Sequence, residues 1–177
     1  MSRSNKICLN IYGGPGIGKT TVAAELFVEL KQKGMDTAII TDFATDMIME
    51  GRPVALKHQW YIIANQIYRI WCGYNTMQVI IVDSPIMLGP IYDPDASPAL
   101  LAMCLEHHHK YNNMNLILHR KPEFEHSMAG RVHSLTESVS IDNRIISLLD
   151  DNNIPYLHYD EYGKERIIQL VLRHIKG

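Results

Sequence analysis

A chain of 177 residues with 46% hydrophobic and 20% charged side chains has the apolar material for one domain with a real core, spanning 1–177, and too little for two. Its 17 Lys+Arg against 19 Asp+Glu leave a net charge of -2, which excludes a general electrostatic pull toward nucleic acid or an anionic membrane, though not a local basic groove. No apolar run nears the ~20 residues of a membrane span. "MSRSNK" runs into a strand without a leader pattern, and Cys8, Cys72 and Cys104 lie far apart, so a reduced, cytoplasmic setting is expected.

In chain order, "KICLNIY" (6–12) reads as a buried strand, followed by a glycine loop. "KTTVAAELFVELKQKG" places Val22, Leu26, Phe27 and Leu30 on one helical face, with Gly34 as its C-terminal cap. "DTAIIT" (36–41) is a second strand. Residues 43–75 read as helical, interrupted near "EGRP" where Pro53 ends one piece. "MQVIIVD" (77–83) is the clearest strand, followed by a loop with four prolines. Ser97 and Pro98 then fit the cap and first position of a helix through "ALLAMCLEHHHKY". "NLILHR" (115–120) is a fourth strand, residues 121–134 are polar and aperiodic, and "SVSIDNRIISLLDDN" is a helix. "IPYLHY" (154–159) is a fifth strand and "KERIIQLVLRHIK" the last helix. Apolar strands alternating with helices predict an α/β fold: a parallel sheet covered on both faces, with ligands beyond the C-terminal strand ends.

Gly13-x4-Gly18-Lys19-Thr20 matches the phosphate-binding loop pattern in full. Glycines let successive N–H groups approach phosphate oxygens, and the following helix start adds partial positive charge. Lys19 supplies a full charge and Thr20 a hydroxyl for Mg2+. The donor set read for ATP is Gly13, Gly14, Gly16, Ile17, Gly18, Lys19, Thr20 and Thr21, with Arg120 at the fourth strand end. The dinucleotide pattern GxGxxG fails, because its third glycine would fall on Lys19. "VIIVD" ends in Asp83, placed to hold Mg2+ with Thr20. Asp42 ends the second strand and is either a general base or a helix cap, with Asp46 one turn on as the alternative base. Arg131 lies in a lid-like stretch, about 121–134, suited to closing over the charge that spreads during phosphoryl transfer. Arg144 is a lesser candidate.

The insert between Asp42 and Asp83 should cover the acceptor side. Arg52 and Gln59 are read there as acceptor contacts, with aromatics that could stack a base. Helical spacing of Trp60, Ile63, Ile67 and Ile70 favours core over stacking for Trp60, and Trp71 is read the same way. His107, His108 and His109 point about 100° apart on a helix and read as a solvated helix end.

"YGGPGIGKTT", "VIIVDSP" and "HRKPEFEHSMAGR" together resemble a small P-loop kinase. The ending from "SIDNRIISLL" onward is similar to NadR-like AAA domains and to small kinases of large bacteriophages, which act on nucleotides or on hydroxymethylated pyrimidines in DNA. The resemblance implies a three-layer P-loop NTPase sandwich of strand order 2-3-1-4-5. It also implies ATP with Mg2+ and a carboxylate at the Asp42 position acting on the acceptor. Two positions depart from the pattern: Ser84 stands where an arginine is usual, and Asp42-Phe43 where a glutamate with a nearby arginine is. The expectation is a kinase acting on a hydroxyl of a nucleoside, a nucleotide or a modified base in DNA, in a host cytoplasm if phage-borne. The alternative is an ATPase or nucleotide switch acting on a macromolecule. No heptad or unusual apolar face marks an oligomer interface.

Overall fold

A computed structural model describes residues 5–120 and 135–176. Five strands form one all-parallel sheet: β1 (Ile7–Tyr12), β2 (Thr37–Ile40), β3 (Val79–Val82), β4 (Asn113–Ile117) and β5 (Leu157–His158), in spatial order β2-β3-β1-β4-β5. The helices are α1 (Lys19–Gln32), α2 (Phe43–Met49), α3 (Gln59–Thr76), α4 (Gly89–Tyr92), α5 (Pro98–His108), α6 (Leu135–Asp151) and α7 (Tyr159–Lys176). This is the P-loop NTPase strand order that the resemblance implied.

Every residue of β1 is buried, because the strand is central and its successive side chains enter opposite layers. Ile7, Leu9 and Ile11 join the core under α1 and α7, which also holds Leu26, Leu30, Ile167 and Val171. Cys8 and Tyr12 join the core under α3, α5 and α6, with Ile70, Leu100, Ile145 and Leu149. The expected α1 face is half right: Ala23, Leu26 and Leu30 are buried, while Val22 and Phe27 are only partly so. Asn10 is buried in β1, and its Nδ2 donates to Asn113 Oδ1 and Asn115 Oδ1, both at 2.9 Å. Asn115 Nδ2 continues the chain to the Pro155 carbonyl at 2.9 Å.

Several elements differ from the sequence reading. β5 is two residues long rather than six, since only Leu157 and His158 pair with β4 and Pro155 has no N–H to donate. α7 starts at Tyr159 rather than 164, with a kink at Gly163 (φ 69, ψ 164) that separates its first turn from the rest. α6 begins at Leu135, three residues earlier than expected.

Trp60 and Trp71 are not core residues; they are 47% and 54% exposed. The buried stripe of α3 is Gln59, Ile62, Ile63, Gln66 and Ile70, and each tryptophan sits one residue, about 100°, off it. His108 is not solvated but buried at the end of α5. Burial, then the neighbouring His109, lowers its pKa from the ordinary 6.5 to about 4. Its folded pKa lies below its unfolded one, so the unfolded chain takes up the proton first as pH falls. Stability is therefore expected to fall between about pH 6.5 and about 4, by on the order of 3 kcal/mol from this group. His108→Leu should flatten that slope in melts recorded across the range; an unchanged slope would assign the acid sensitivity to other groups.

Candidate functional site

The turn after β1 runs at the C-terminal edge of the sheet, between its central strand and α1. Gly13 (φ 151), Gly16 (φ 74) and Gly18 (φ 100) hold positive φ, which lets the loop curl back on itself. Gly18 is the N-cap of α1; among the described residues no side chain caps that end, and its first turn holds no acidic residue. The first amides of α1 thus face the loop with their dipole unopposed, an arrangement suited to an anion. Ile17 packs into the α1/α7 core and anchors the loop, while Gly16 and Thr21 are exposed.

Lys19 Nζ donates to the Gly13 and Gly14 carbonyls, at 2.9 and 3.1 Å. Burial lowers its pKa, opposed by the carboxylates of Asp83, Asp42 and Asp142. Thr20 Oγ1 donates to Asp83 Oδ2 at 2.6 Å, tying α1 to the end of β3. Asp83 is 6% exposed, and its other oxygen, Oδ1, has no hydrogen-bond partner among the described residues. Burial raises the Asp83 pKa, opposed by the Thr20 hydroxyl and Lys19. A buried carboxylate oxygen without a partner, beside a hydroxyl oxygen, is an incomplete hard-oxygen donor set. It fits Mg2+, which takes one or two carboxylates and leaves its other positions to phosphate and water.

Across the strand ends, Asp42 caps α2: its Oδ1 accepts from Ala44 N–H and its Oδ2 from the Thr45 hydroxyl, each at 3.0 Å. Asp42 is half-buried and close enough to influence Lys19, Asp83 and Tyr92 electrostatically. Asp46 pairs with Arg69 at 2.5 Å, and that guanidinium also donates to Thr41 Oγ1 and lies 4.9 Å over the Phe43 ring. Arg52 is exposed beside Glu50 at 3.5 Å. Gln59 is buried, and its Nε2 donates to the Leu56 carbonyl at 2.8 Å, closing the turn into α3. Arg131 and the stretch 121–134 lie outside the described residues.

Tyr92 and Asp142, which sequence reasoning did not assign to the site, stand close to it, as does Gln66 of the insert read as covering the acceptor side. Gln66 Oε1 accepts from Phe43 N–H at 3.1 Å, and its Nε2 donates to the carbonyls of Thr41 at 3.2 Å and Ser84 at 3.0 Å. It staples the ends of β2 and β3, which holds Asp42 and Asp83 on one rim. Tyr92, half-buried on α4, has its pKa pushed up to about 12 by burial and then by Asp42 and Asp142, so the phenol stays protonated. Asp142 on α6 reaches back to the loop: Oδ1 accepts from Gly14 N–H and Oδ2 from Arg120 Nε, both at 2.6 Å. The periodicity of α6 carries no sign of this, because the partners stand far away in the chain. A cavity of about 40 Å³ lies beneath this link, between Gly13, Leu118, Asp142 and Ile145, with room for water and not for a nucleotide.

Gly14 is required by that close approach. A Cβ there would stand 2.6 Å from Asp142 Oδ1, 2.9 Å from the Ser138 carbonyl and 3.0 Å from Arg120 Nη2. Gly14→Ala is therefore expected to push α6 off the loop, lowering stability by about 1–3 kcal/mol. Nucleotide affinity should fall with it. A melt and a titration that both match wild type would show that α6 does not pack there.

A family model described as an AAA domain matches residues 8–166. The chain belongs to this AAA-domain family. A search of curated proteins returned no match. Among solved structures, the AAA domain is similar to a NadR protein crystallised in complex with NR, with a TM-score of 0.72 at 11% identity. That alignment covers 97% of this chain and 51% of the other, so the chain spans about half the length of that neighbour. It is also similar to a deoxyadenosine kinase from M.mycoides with products dcmp and a flexible dcdp bound, with a TM-score of 0.52 at 15% identity, covering 96% and 98% of the two chains. At these identities the likeness is one of fold. Among the described residues no helix is long and apolar enough to cross a membrane.

Proposed function

We propose that this AAA domain is a magnesium-dependent kinase that transfers the γ-phosphoryl group of ATP to a hydroxyl of a nucleoside-like acceptor. The acceptor class includes a nucleoside, a nucleotide and a modified base in DNA. The observation that carries the reading is the Thr20–Asp83 pair with its unpartnered Asp83 Oδ1, standing beside Lys19 at a glycine loop and near Asp42. The solved neighbours support it, since one is a deoxyadenosine kinase and the other was crystallised with NR.

In this reading the loop amides and the start of α1 bind the donor phosphates, and Lys19 leaves the Gly13 and Gly14 carbonyls to meet them. Thr20 and Asp83 would hold Mg2+, which when bound neutralises charge on the phosphate oxygens. Asp42 takes the proton of the acceptor hydroxyl as its oxygen bonds to the γ-phosphorus and the bond to ADP breaks. Its contacts to Ala44 and Thr45 leave carboxylate lone pairs for that proton. Arg131 would stabilise the charge that spreads over the transferring group. Tyr92 and the capped start of α2 bound the acceptor side, and Gln66 ties that start of α2 to the residue after Asp83.

The test is incubation with radiolabelled ATP, Mg2+ and a panel of nucleosides, nucleotides and DNAs. Label on an acceptor supports the kinase; label released only as free phosphate favours an ATPase or switch. A DNA acceptor further requires that activity weaken steeply with salt.

A further inference from the structure

One carboxylate joins α6 to the phosphate loop. Asp142 accepts from Gly14 N–H and from Arg120 Nε at 2.6 Å each, and Arg120 Nη2 donates to the Pro15 carbonyl at 2.9 Å. Both side chains are 18% exposed, so this is a shielded, hydrogen-bonded pair and not a solvated surface contact. A guanidinium carries five N–H donors in one plane. Two are committed here, one to Asp142 and one to Pro15, and together they set the tilt of that plane against the loop. No other partner of this guanidinium is found among the described residues, so its remaining donors, including both on Nη1, are available to an anion.

We infer that Asp142 is a positioning residue, locking the Arg120 guanidinium to the rim of the phosphate loop so that donor-nucleotide binding depends on Asp142 through Arg120. The inference rests on the nucleotide-binding reading of the loop. Its energetic basis is preorganisation: an arginine already fixed by Asp142 and Pro15 loses little further freedom when it grips a phosphate. The glycine at 14 belongs to the same arrangement, since any side chain there would occupy the place of the Asp142 carboxylate.

Asparagine separates positioning from scaffolding. In Asp142→Asn the amide oxygen can still accept from Gly14 N–H, but its NH2 would face Arg120 Nε–H, donor against donor, and the guanidinium is released. The experiment titrates MgATP into intact wild-type protein, Asp142→Asn, Arg120→Gln and the double variant, with a melting curve for each. Each single variant is expected to lose about tenfold in affinity. The double should also lose about tenfold, because the second change removes nothing further. A double variant weakened about a hundredfold, the product of the two, overturns the inference, as does Asp142→Asn binding within twofold of wild type. A wild type with no MgATP affinity overturns the nucleotide reading itself and this inference with it. If Asp142→Asn does not fold, Arg120→Lys decides: the charge is kept but the fork is lost, so a tenfold loss supports positioning and wild-type affinity overturns it.

Discussion

Lys19→Ala is expected to reduce phosphoryl transfer by about a thousandfold or more, the scale on which loss of a preorganised charge at a transferring phosphate is felt. The reasoning starts from what the ammonium does without a ligand. It is folded onto the Gly13 and Gly14 carbonyls, the two residues whose backbone opens the loop. On the proposed reading these neutral acceptors would give way to phosphate oxygens, where both partners of the bond carry charge. Burial lowers its pKa, and Asp83, Asp42 and Asp142 oppose that shift in part, holding charge of the opposite sign around the ammonium. Lys19→Arg should restore little, because a planar fork does not replace a compact point charge between two carbonyls. The check is kcat and MgATP affinity measured on the same preparation with melting curves. Turnover within tenfold of wild type would take the loop out of the chemistry.

The second large effect is expected at Asp42. Asp42→Asn should lower kcat by about 10²–10⁴-fold, the range for a general base, while MgATP affinity stays within about twofold. Asparagine is as good an N-cap as aspartate, and its oxygen can keep the bond from Ala44 N–H, so α2 should survive. That isolates proton acceptance from capping. Asp42→Ala removes both, and is expected to add a stability cost of about 1 kcal/mol. An unchanged kcat in Asp42→Asn, with an unchanged melting point, would leave Asp42 as a cap and nothing more.

Why some of the site could be read early and some could not follows from sequence distance. Glycines, a lysine and a threonine at fixed spacing after an apolar run form a single strand–loop–helix unit, so local order suffices to read the phosphate-loop pattern. Asp42 and Asp83 were readable because a carboxylate ending a buried strand must emerge at the sheet edge. The cap made by Asp42 was equally local, since its partners are two and three residues away. Asp142 was out of reach: it stands 128 residues from Gly14 and 22 from Arg120, and helical periodicity carries no record of partners on other elements. Gln66 was out of reach for the same reason, as its partners close the gap between two strands.

The tryptophans of α3 show a finer limit. The spacing of Trp60 with Ile63, Ile67 and Ile70 is helical, but periodicity fixes a stripe only to within a residue or so. The sheet then selects its centre at Ile63, Gln66 and Ile70 and leaves Trp60 and Trp71 outside. Likewise the length of β5 was set by how far β4 offers partners, and the burial of His108 by what α5 lies against. The amino-acid order alone determined the alternation of strands and helices, the phosphate loop, and the strand-end carboxylates, because each is encoded over a few adjacent residues. Tertiary structure alone decided which distant side chains brace that loop, which helical face is buried, and where a carboxylate oxygen is left without a partner. Those outcomes depend on packing between elements, which brings together groups that the chain keeps far apart.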